Sequence, residues 1–307
     1  MNATTMVRSE IASERIQLLN ARAITPGAYV AYWMQQSQRA EYNHALEYAI
    51  QQANELKLPV HVFFGLTNDY PEANLRHYTF MLEGLRETQA ALAARGIAMA
   101  VQKGDPVSVA VTAARQAALL VCDRGYLRHQ KRWRRQVSEA APCRVVQIET
   151  DVVAPVEAVS GKREVAARTL RPKIHQQLAK YLVEMIETKV VRRSVLAEPT
   201  GLDLSDLEET LRQLKIDRSV TSVSRFFTGG LSQAKKRFAT FLRRKLAHYK
   251  DNRNQPQTDY VSHMSPYLHF GQISPLFLAL GIWRRRAADR ANAETYFEEL
   301  VVSASYR

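Results

Sequence analysis

The sequence predicts an α/β domain built on a doubly wound parallel sheet, followed by an all-helical part. Two observations predict the first. Between Ala28 and Pro155 short apolar runs alternate with amphipathic stretches, and each stretch is long enough to cross back over a sheet. A third predicts the second: the apolar runs stop after Val156, and from Phe226 onward apolar residues recur at helical spacing.

The expected strands are 29–33, 60–64, 97–101, 118–122 and 145–148, each a short apolar run. The expected helices are 39–56, 74–94, 106–117 and 127–139. This order makes the sheet Rossmann-like, with a ligand crevice at the carboxyl ends of the strands. Trp33, Met34, the Gln35-Gln36-Ser37-Gln38-Arg39 turn, Gly65, Gly104-Asp105-Pro106 and Asp123 belong at that end. No Gly-x-Gly-x-x-Gly or Gly-x-x-x-x-Gly-Lys loop occurs there, which disfavours an ordinary dinucleotide dehydrogenase or a P-loop enzyme. The resulting division is an N-terminal extension over 1–24, the α/β domain over 25–155, a connection over 156–225 and a helical domain over 226–307. Met1 to Ile24 reads as polar and helix-prone, with no signal-peptide core.

The 307 residues carry a formal net charge of +13, a balance that attracts polyanions, of which nucleic acid is the commonest for such a protein. No apolar run is long enough for a membrane span. Cys122 and Cys143 have no metal or disulfide spacing and read as core residues in a reducing cytoplasm. Arg124 to Arg135 is densely basic around Trp133. It suits either a nucleic-acid surface or a solvated helix face with Trp133 turned inward, and the second is the commoner case.

From Gly229-Gly230 an amphipathic helix begins, with Ala234, Phe238, Phe241, Leu242 and Leu246 on its buried stripe. The stretch Thr258 to Pro275 then holds two Ser-Pro helix starts, Ser265-Pro266 and Ser274-Pro275, with Gly271 as a stop between them. Serine caps and exposed first-turn amides would make the two helix ends a phosphate-binding pair. Trp283 at helical spacing reads as a core residue.

The string Ser265-Pro-Tyr-Leu-His-Phe-Gly-Gln-Ile-Ser274, downstream of Tyr249 and an Arg253-Asn254-x-Pro256 turn, resembles the flavin-binding stretch of the photolyase and cryptochrome family. Tyr32-Trp33-Met34-x-x-x-Gln38-Arg39-x-Glu41-x-Asn43 is similar to the opening of class II cyclobutane pyrimidine dimer photolyases. Further matches follow in order: Arg76-x-x-x-Phe80-Met81-Leu82-x-Gly84-Leu85, Gly104-Asp105-Pro106, Thr169-Leu170-Arg171-Pro172-Lys173 and Tyr296-Phe297-Glu298-Glu299-Leu300. The Lys162-Arg163-Glu164 to Lys173 segment resembles the family's link between its domains. Departures fall at Gln36-Ser37, where the family has Arg-Asp, and at His44, where it has Trp.

The resemblance implies light-driven repair of UV-damaged DNA, in which reduced FAD donates an electron to a pyrimidine dimer. It implies a lyase working as a cytoplasmic monomer, with an antenna pigment of the deazaflavin type in the α/β domain. Tyr249, Ser262, His263, Met264 and Ser265 match flavin-binding positions, Arg253 lies near the DNA lesion, and Glu299 is the dimer-contacting carboxylate. No metal is implied. A cryptochrome-like light sensor, or an inactive fragment that binds nucleic acid nonspecifically, are the alternatives. After Val302 the family continues, so the helical FAD-binding domain is expected to be incomplete. Codons for Ser303-Ala304-Ser305-Tyr306-Arg307, read two bases along, can spell the family's Arg-Glu-Leu-Ser, which points to a frameshift.

Overall fold

The computed structural model describes residues 7–8, 10–68, 70–162, 167–194 and 201–303. The Arg163-Glu164 part of the expected link and the Ala304–Arg307 end lie outside them. The strands are β1 (Val7–Arg8), β2 (Ile16–Leu18), β3 (Tyr29–Trp33), β4 (Val60–Leu66), β5 (Ala98–Lys103), β6 (Ala117–Asp123), β7 (Arg144–Ile148) and β8 (Glu184–Met185). Six of them form one sheet in the order β2-β7-β6-β3-β4-β5, parallel throughout except for the antiparallel edge strand β2. All five expected strands are present; four run one or two residues further at one or both ends, and β5 starts one residue later than expected.

The chain first builds outward from β3 through β4 to β5, then returns to lay β6 on the other side of β3. That reversal opens a crevice above the carboxyl ends of β3 and β6. Alternate residues of β3 serve opposite cores, as the two-residue period requires. Val30 and Tyr32 pack with α1 (His44–Leu56) and α2 (Leu75–Ala94), while Tyr29, Ala31 and Trp33 pack with α3 (Pro106–Ala114) and α4 (Arg128–Ala140). Cys122 and Cys143 are buried in this second core, where burial pushes the Cys122 thiol up to about 12.

Three local expectations are corrected. The helix expected from Arg39 starts only at His44, because Asn43 takes the cap position and accepts from the Leu46 amide at 3.0 Å. Tyr42 just before it has a positive φ of 48°, outside the helical range. Part of the supposedly helix-prone N-terminal stretch is strand β2, paired with β7. Its neighbour Arg15, 3% exposed, donates to the carbonyls of Glu149, Val152 and Val153, tertiary partners that outweigh local helix propensity.

The remaining helices are α5 (Val156–Val159), α6 (Ala167–Tyr181), α7 (Leu207–Arg212), α8 (Leu231–Arg244), α9 (Tyr249–Asn252), α10 (Ser265–His269), α11 (Pro275–Trp283) and α12 (Arg290–Glu298), followed by a π-helical turn, Glu299–Ser303. Ala234, Phe238 and Phe241 of α8 are buried, Leu246 beyond it also, and Leu242 lies at the edge, as the stripe predicts. Trp283 packs on Phe297 at 5.4 Å. The third correction concerns Ser265, which is exposed and is the first residue of α10 rather than its cap; Met264 holds that position. Ser274 does cap α11, accepting from the Leu276 amide at 3.1 Å.

The helical part is fastened to the sheet through α2 and the β3–α1 loop. Gln272, fully buried, accepts from Gly230 N at 2.8 Å and donates to the Phe80 carbonyl of α2 at 3.1 Å. Arg39, also fully buried, donates to Asp151 Oδ1 at 2.7 Å and to the Gly271 carbonyl at 2.9 Å. Gly271 has φ +65°, and a Cβ there would lie 2.0 Å from the Gln36 carbonyl oxygen. Among the described residues no helix is long and apolar enough to cross a membrane.

Two predictions follow from this join. Gly271→Ala adds both left-handed strain and a backbone clash, so urea denaturation should show a loss of about 3 kcal/mol. Asp123, buried at the end of β6, accepts from Tyr32 Oη (2.7 Å), Gln36 N (2.9 Å) and Ser37 N (3.0 Å). Burial and then the nearby Asp151 raise its pKa, and the hydrogen bonds offset only part of that. The folded state therefore holds this proton more tightly than the unfolded chain does, and stability is lost as pH rises from about 3.9 through the folded pKa. Asp123→Asn removes that titration. Its stability relative to wild type should climb as pH rises above about 3.9, by about 1.4 kcal/mol per unit of pKa shift, and level off above the folded pKa; a constant difference would refute the assignment.

Candidate functional site

The structure presents two candidate sites. The first is a cleft of about 550 Å³ at the carboxyl ends of the strands, where the topology places a ligand crevice. Gln35, Gln36, Gly65, Tyr126, Gln130 and Trp133 line it from the sheet side, and Leu268, His269 and Phe270 close it from the helical side.

Its polar groups are largely engaged within the wall. Gln35 Oε1 accepts from Trp33 Nε1 (3.0 Å) and Gly65 N (3.1 Å), and its Nε2 donates to the Gly65 carbonyl (2.9 Å). Gln130 donates to Gln36, and Tyr126 donates to Glu149. Arg124 pairs with Glu157 at 2.6 Å, and Asp151 pairs with Arg39. A wall of amides, rings and internally paired charges suits a largely neutral, planar ligand. Of the departures from the family pattern, Gln36 lines this cleft. Ser37 is fully buried, donating through Oγ to Asp151 at 3.1 Å. His44 is buried away from the cleft, beside Tyr181 and Leu276; burial, then Arg15 and Arg39, holds its imidazole well below the usual pKa.

The second site is a polar face where α9, the 258–265 segment and α12 meet. Tyr296 is its hub. Its hydroxyl donates to Ser262 Oγ at 3.0 Å, and its ring meets the edge of Tyr249 at 5.2 Å and lies against Phe241 at 4.9 Å. Arg253 at the end of α9 forms an ion pair with Glu299, one turn beyond Tyr296. Burial raises the Tyr249 hydroxyl pKa, the Glu299 charge raises it further, and Arg253 opposes both. Asn292 fixes the spacing by accepting from Lys250 N at 2.7 Å and donating to the Ala247 carbonyl at 3.1 Å.

Thus Tyr249, Arg253, Ser262 and Glu299, spread over 51 positions of sequence, converge on one face. His263 lies on the same segment with φ +56°, its Nε2 2.5 Å from Asp259 Oδ1 and its ring edge-on to Phe227. Lys245 binds the other Asp259 oxygen at 2.7 Å and, followed by His263, holds that carboxyl below its usual pKa. Glu298, adjacent to Glu299, turns instead to α6, where Arg171 Nε (2.6 Å) and His175 Nε2 (2.5 Å) hold it.

One expected site feature is narrowed to its backbone, and another is not realised. Met264 is 1% exposed and packs into the helical core, leaving only its backbone for any ligand. The two helix ends do not form a phosphate-binding pair: Ser274 is 1% exposed at the join with the sheet, while Ser265 is exposed. Tyr296, Asp259 and Asn292 were missed as site residues. The spacing of Tyr296 and Glu299, three apart on one helical face, was the available signal for the first.

Residues 30–191 match the DNA photolyase family model. The chain is 42% identical over 293 residues to the deoxyribodipyrimidine photo-lyase of Methanothermobacter thermautotrophicus, covering 95% of this chain and 63% of that protein. It is 32% identical over 277 residues to that of Potorous tridactylus, covering 88% and 51%. Among solved structures, it superposes on a bacterial class III photolyase from Agrobacterium tumefaciens with TM-score 0.71 and 17% identity, over 93% of this chain and 59% of the other. A Synechocystis cryptochrome superposes with TM-score 0.66 and 16% identity, over 89% and 59%, and these two likenesses speak for the fold. The chain spans between about half and two thirds of the length of these relatives. With more than half of its residues covered by the family model, and the sheet, crevice and helical part in the same order, this chain belongs to the DNA photolyase family.

Proposed function

We propose that this chain repairs UV-damaged DNA by splitting cyclobutane pyrimidine dimers in light, as a class II photolyase of the cytoplasm acting as a monomer. The observation that carries the reading is the convergence of Tyr249, Arg253, Ser262 and Glu299 around Tyr296. On this reading residues 226–307 belong to an FAD-binding domain and 25–155 to an antenna-type domain joined by 156–225.

The donor set fits a flavin dinucleotide in its chemistry. The Ser262 and Ser265 hydroxyls, the His263 imidazole and the Met264 backbone would hold the phosphates, with Tyr249 against the ring system. Bound FAD would supply the light-driven electron transfer. Arg253 and Glu299 lie at the rim of this face and would meet the extruded lesion, a base pair already weakly stacked and so less costly to flip. The carboxylate accepts from base N–H groups while the guanidinium balances its charge. The cleft of about 550 Å³ would take an antenna of the deazaflavin type, as its neutral wall suits a planar heterocycle.

The purified chain, incubated with FAD in the dark and desalted, should release flavin on acid treatment and split dimers in a thymine-dimer oligonucleotide under blue light. Protein that retains no flavin and splits no dimer would overturn the proposal; flavin retained without repair would favour the light-sensor alternative. Glu299→Gln exchanges a charged acceptor for a neutral one. It should retain flavin while binding the dimer about tenfold more weakly, measured by competition against undamaged DNA.

A further inference from the structure

On α4 the residues Arg128, Lys131, Arg132 and Arg135 recur at intervals of three and four, so they form one stripe along the helix, and all four are exposed. The helix is divided by face. Val137 and Ser138 are buried, Gln130 and Trp133 line the cleft, and Arg134 is buried, donating to Gln147 Oε1 at 2.8 Å. Among the described residues, the side chains of Arg128, Lys131 and Arg132 make no hydrogen bond or ion pair. Arg135 has only Glu139, at 3.9 Å.

This stripe works against its own helix. Arg128 and Arg132, and Lys131 and Arg135, are like charges four residues apart, an arrangement that opposes helix formation. Arg128 and Lys131 also lie near the amino end, where the helix dipole disfavours cations, and the first turn holds no acidic residue to offset them. On α8, by contrast, Arg243 and Arg244 occupy the last turn, where the dipole favours them. The positive field reaches His129, whose pKa is lowered first by burial and then by Arg132.

We infer that the exposed basic stripe of α4 is a docking surface for the phosphate backbone of nucleic acid, separate from the face that would receive the lesion. A row of phosphates relieves the repulsion that the folded helix otherwise retains. From Arg128 to Arg135 the stripe runs roughly 10 Å, the length over which one strand of a duplex displays about three phosphates. A membrane surface fits less well, because the stripe carries no apolar side chain to insert, and among the described residues of α4 and its cap Leu127 is the one large apolar side chain that is exposed. The inference adds a contact face to the partner proposed above and rests on that partner being nucleic acid.

The test is binding of the full chain to an undamaged fluorescent duplex across a salt series, for wild type and for Arg128→Ala/Lys131→Ala/Arg132→Ala/Arg135→Ala. The variant should bind at least tenfold more weakly at low salt, and its slope of log K against log salt should be shallower by about 2 to 4. Its preference for dimer-containing over undamaged duplex should be unchanged, as should flavin retention. Its melting temperature should equal or exceed that of wild type, since repulsion is removed. If the quadruple variant fails to fold, Arg128→Gln/Arg132→Gln should reduce the slope by about 1 to 2.

An unchanged slope and affinity would overturn the inference. So would a wild type that binds no duplex, or a variant that keeps duplex binding but loses binding to phosphatidylserine vesicles. Loss of dimer preference or of flavin with an intact slope difference would instead count against the repair reading alone.

Discussion

A guanidinium with no exposed surface holds the two halves of this protein in register. Arg39 leaves the carboxyl end of β3, where a charge cut off from water is stable only with its donors fully used. It finds the Asp151 carboxylate beyond β7, the Gly271 carbonyl between α10 and α11, and the Tyr42 carbonyl of its own loop. The approach is close enough that Gly271 has no room for a side chain. The helical hairpin is therefore seated against the sheet by hydrogen-bond geometry as well as by apolar contact.

The seated hairpin contributes to two unlike surfaces. On one side Leu268, His269 and Phe270 finish a cleft in which Asp151 is paired within the wall and Arg124 with nearby Glu157, leaving Glu72 exposed at its edge, an environment for a planar and largely neutral molecule. On the other, the segment preceding α10 meets Tyr249, Arg253 and Glu299, where an ion pair and hydroxyls stay near the surface. Residues 262–270 contribute to both faces, so movement of the join would disturb both. Gln272, Glu83 and Glu87 tie the start of α8 to α2 in the same way: Glu83 accepts from Gly229 N and Glu87 from Ser232 N, each at 2.7 Å.

Electrostatics vary across the molecule in a way that net charge conceals. Many cations of the helical part have a carboxylate partner: Arg171 with Glu298, Lys235 with Glu41, Lys245 with Asp259 and Arg286 with Glu294. Such pairs at the surface add little stability individually, but they reduce the local field. The α4 stripe has no comparable neutralisation, so a formal charge of +13 spread over the chain is felt most where pairing fails.

The sequence by itself determined the elements that depend on neighbours in the chain. Short continuous apolar runs marked β3 to β7, because strands covered by helices on both faces are apolar throughout, and the Ser274-Pro275 cap and the Gly271 stop were readable because caps act within one turn. The resemblance to the family proposes Tyr249, Ser262, Arg253 and Glu299 as flavin and lesion contacts. Only the tertiary structure decided that Ile16–Leu18 would be an edge strand, that the serine end of α11 would be buried while Ser265 stayed exposed, and that Met264 would turn inward. It also made Tyr296 the hub of the site and sent Glu298 to α6 while Glu299 faced α9. The reason is physical: helical and strand periods encode which side of an element a residue occupies, whereas its partner across space depends on how separate elements pack, and no local spacing records that.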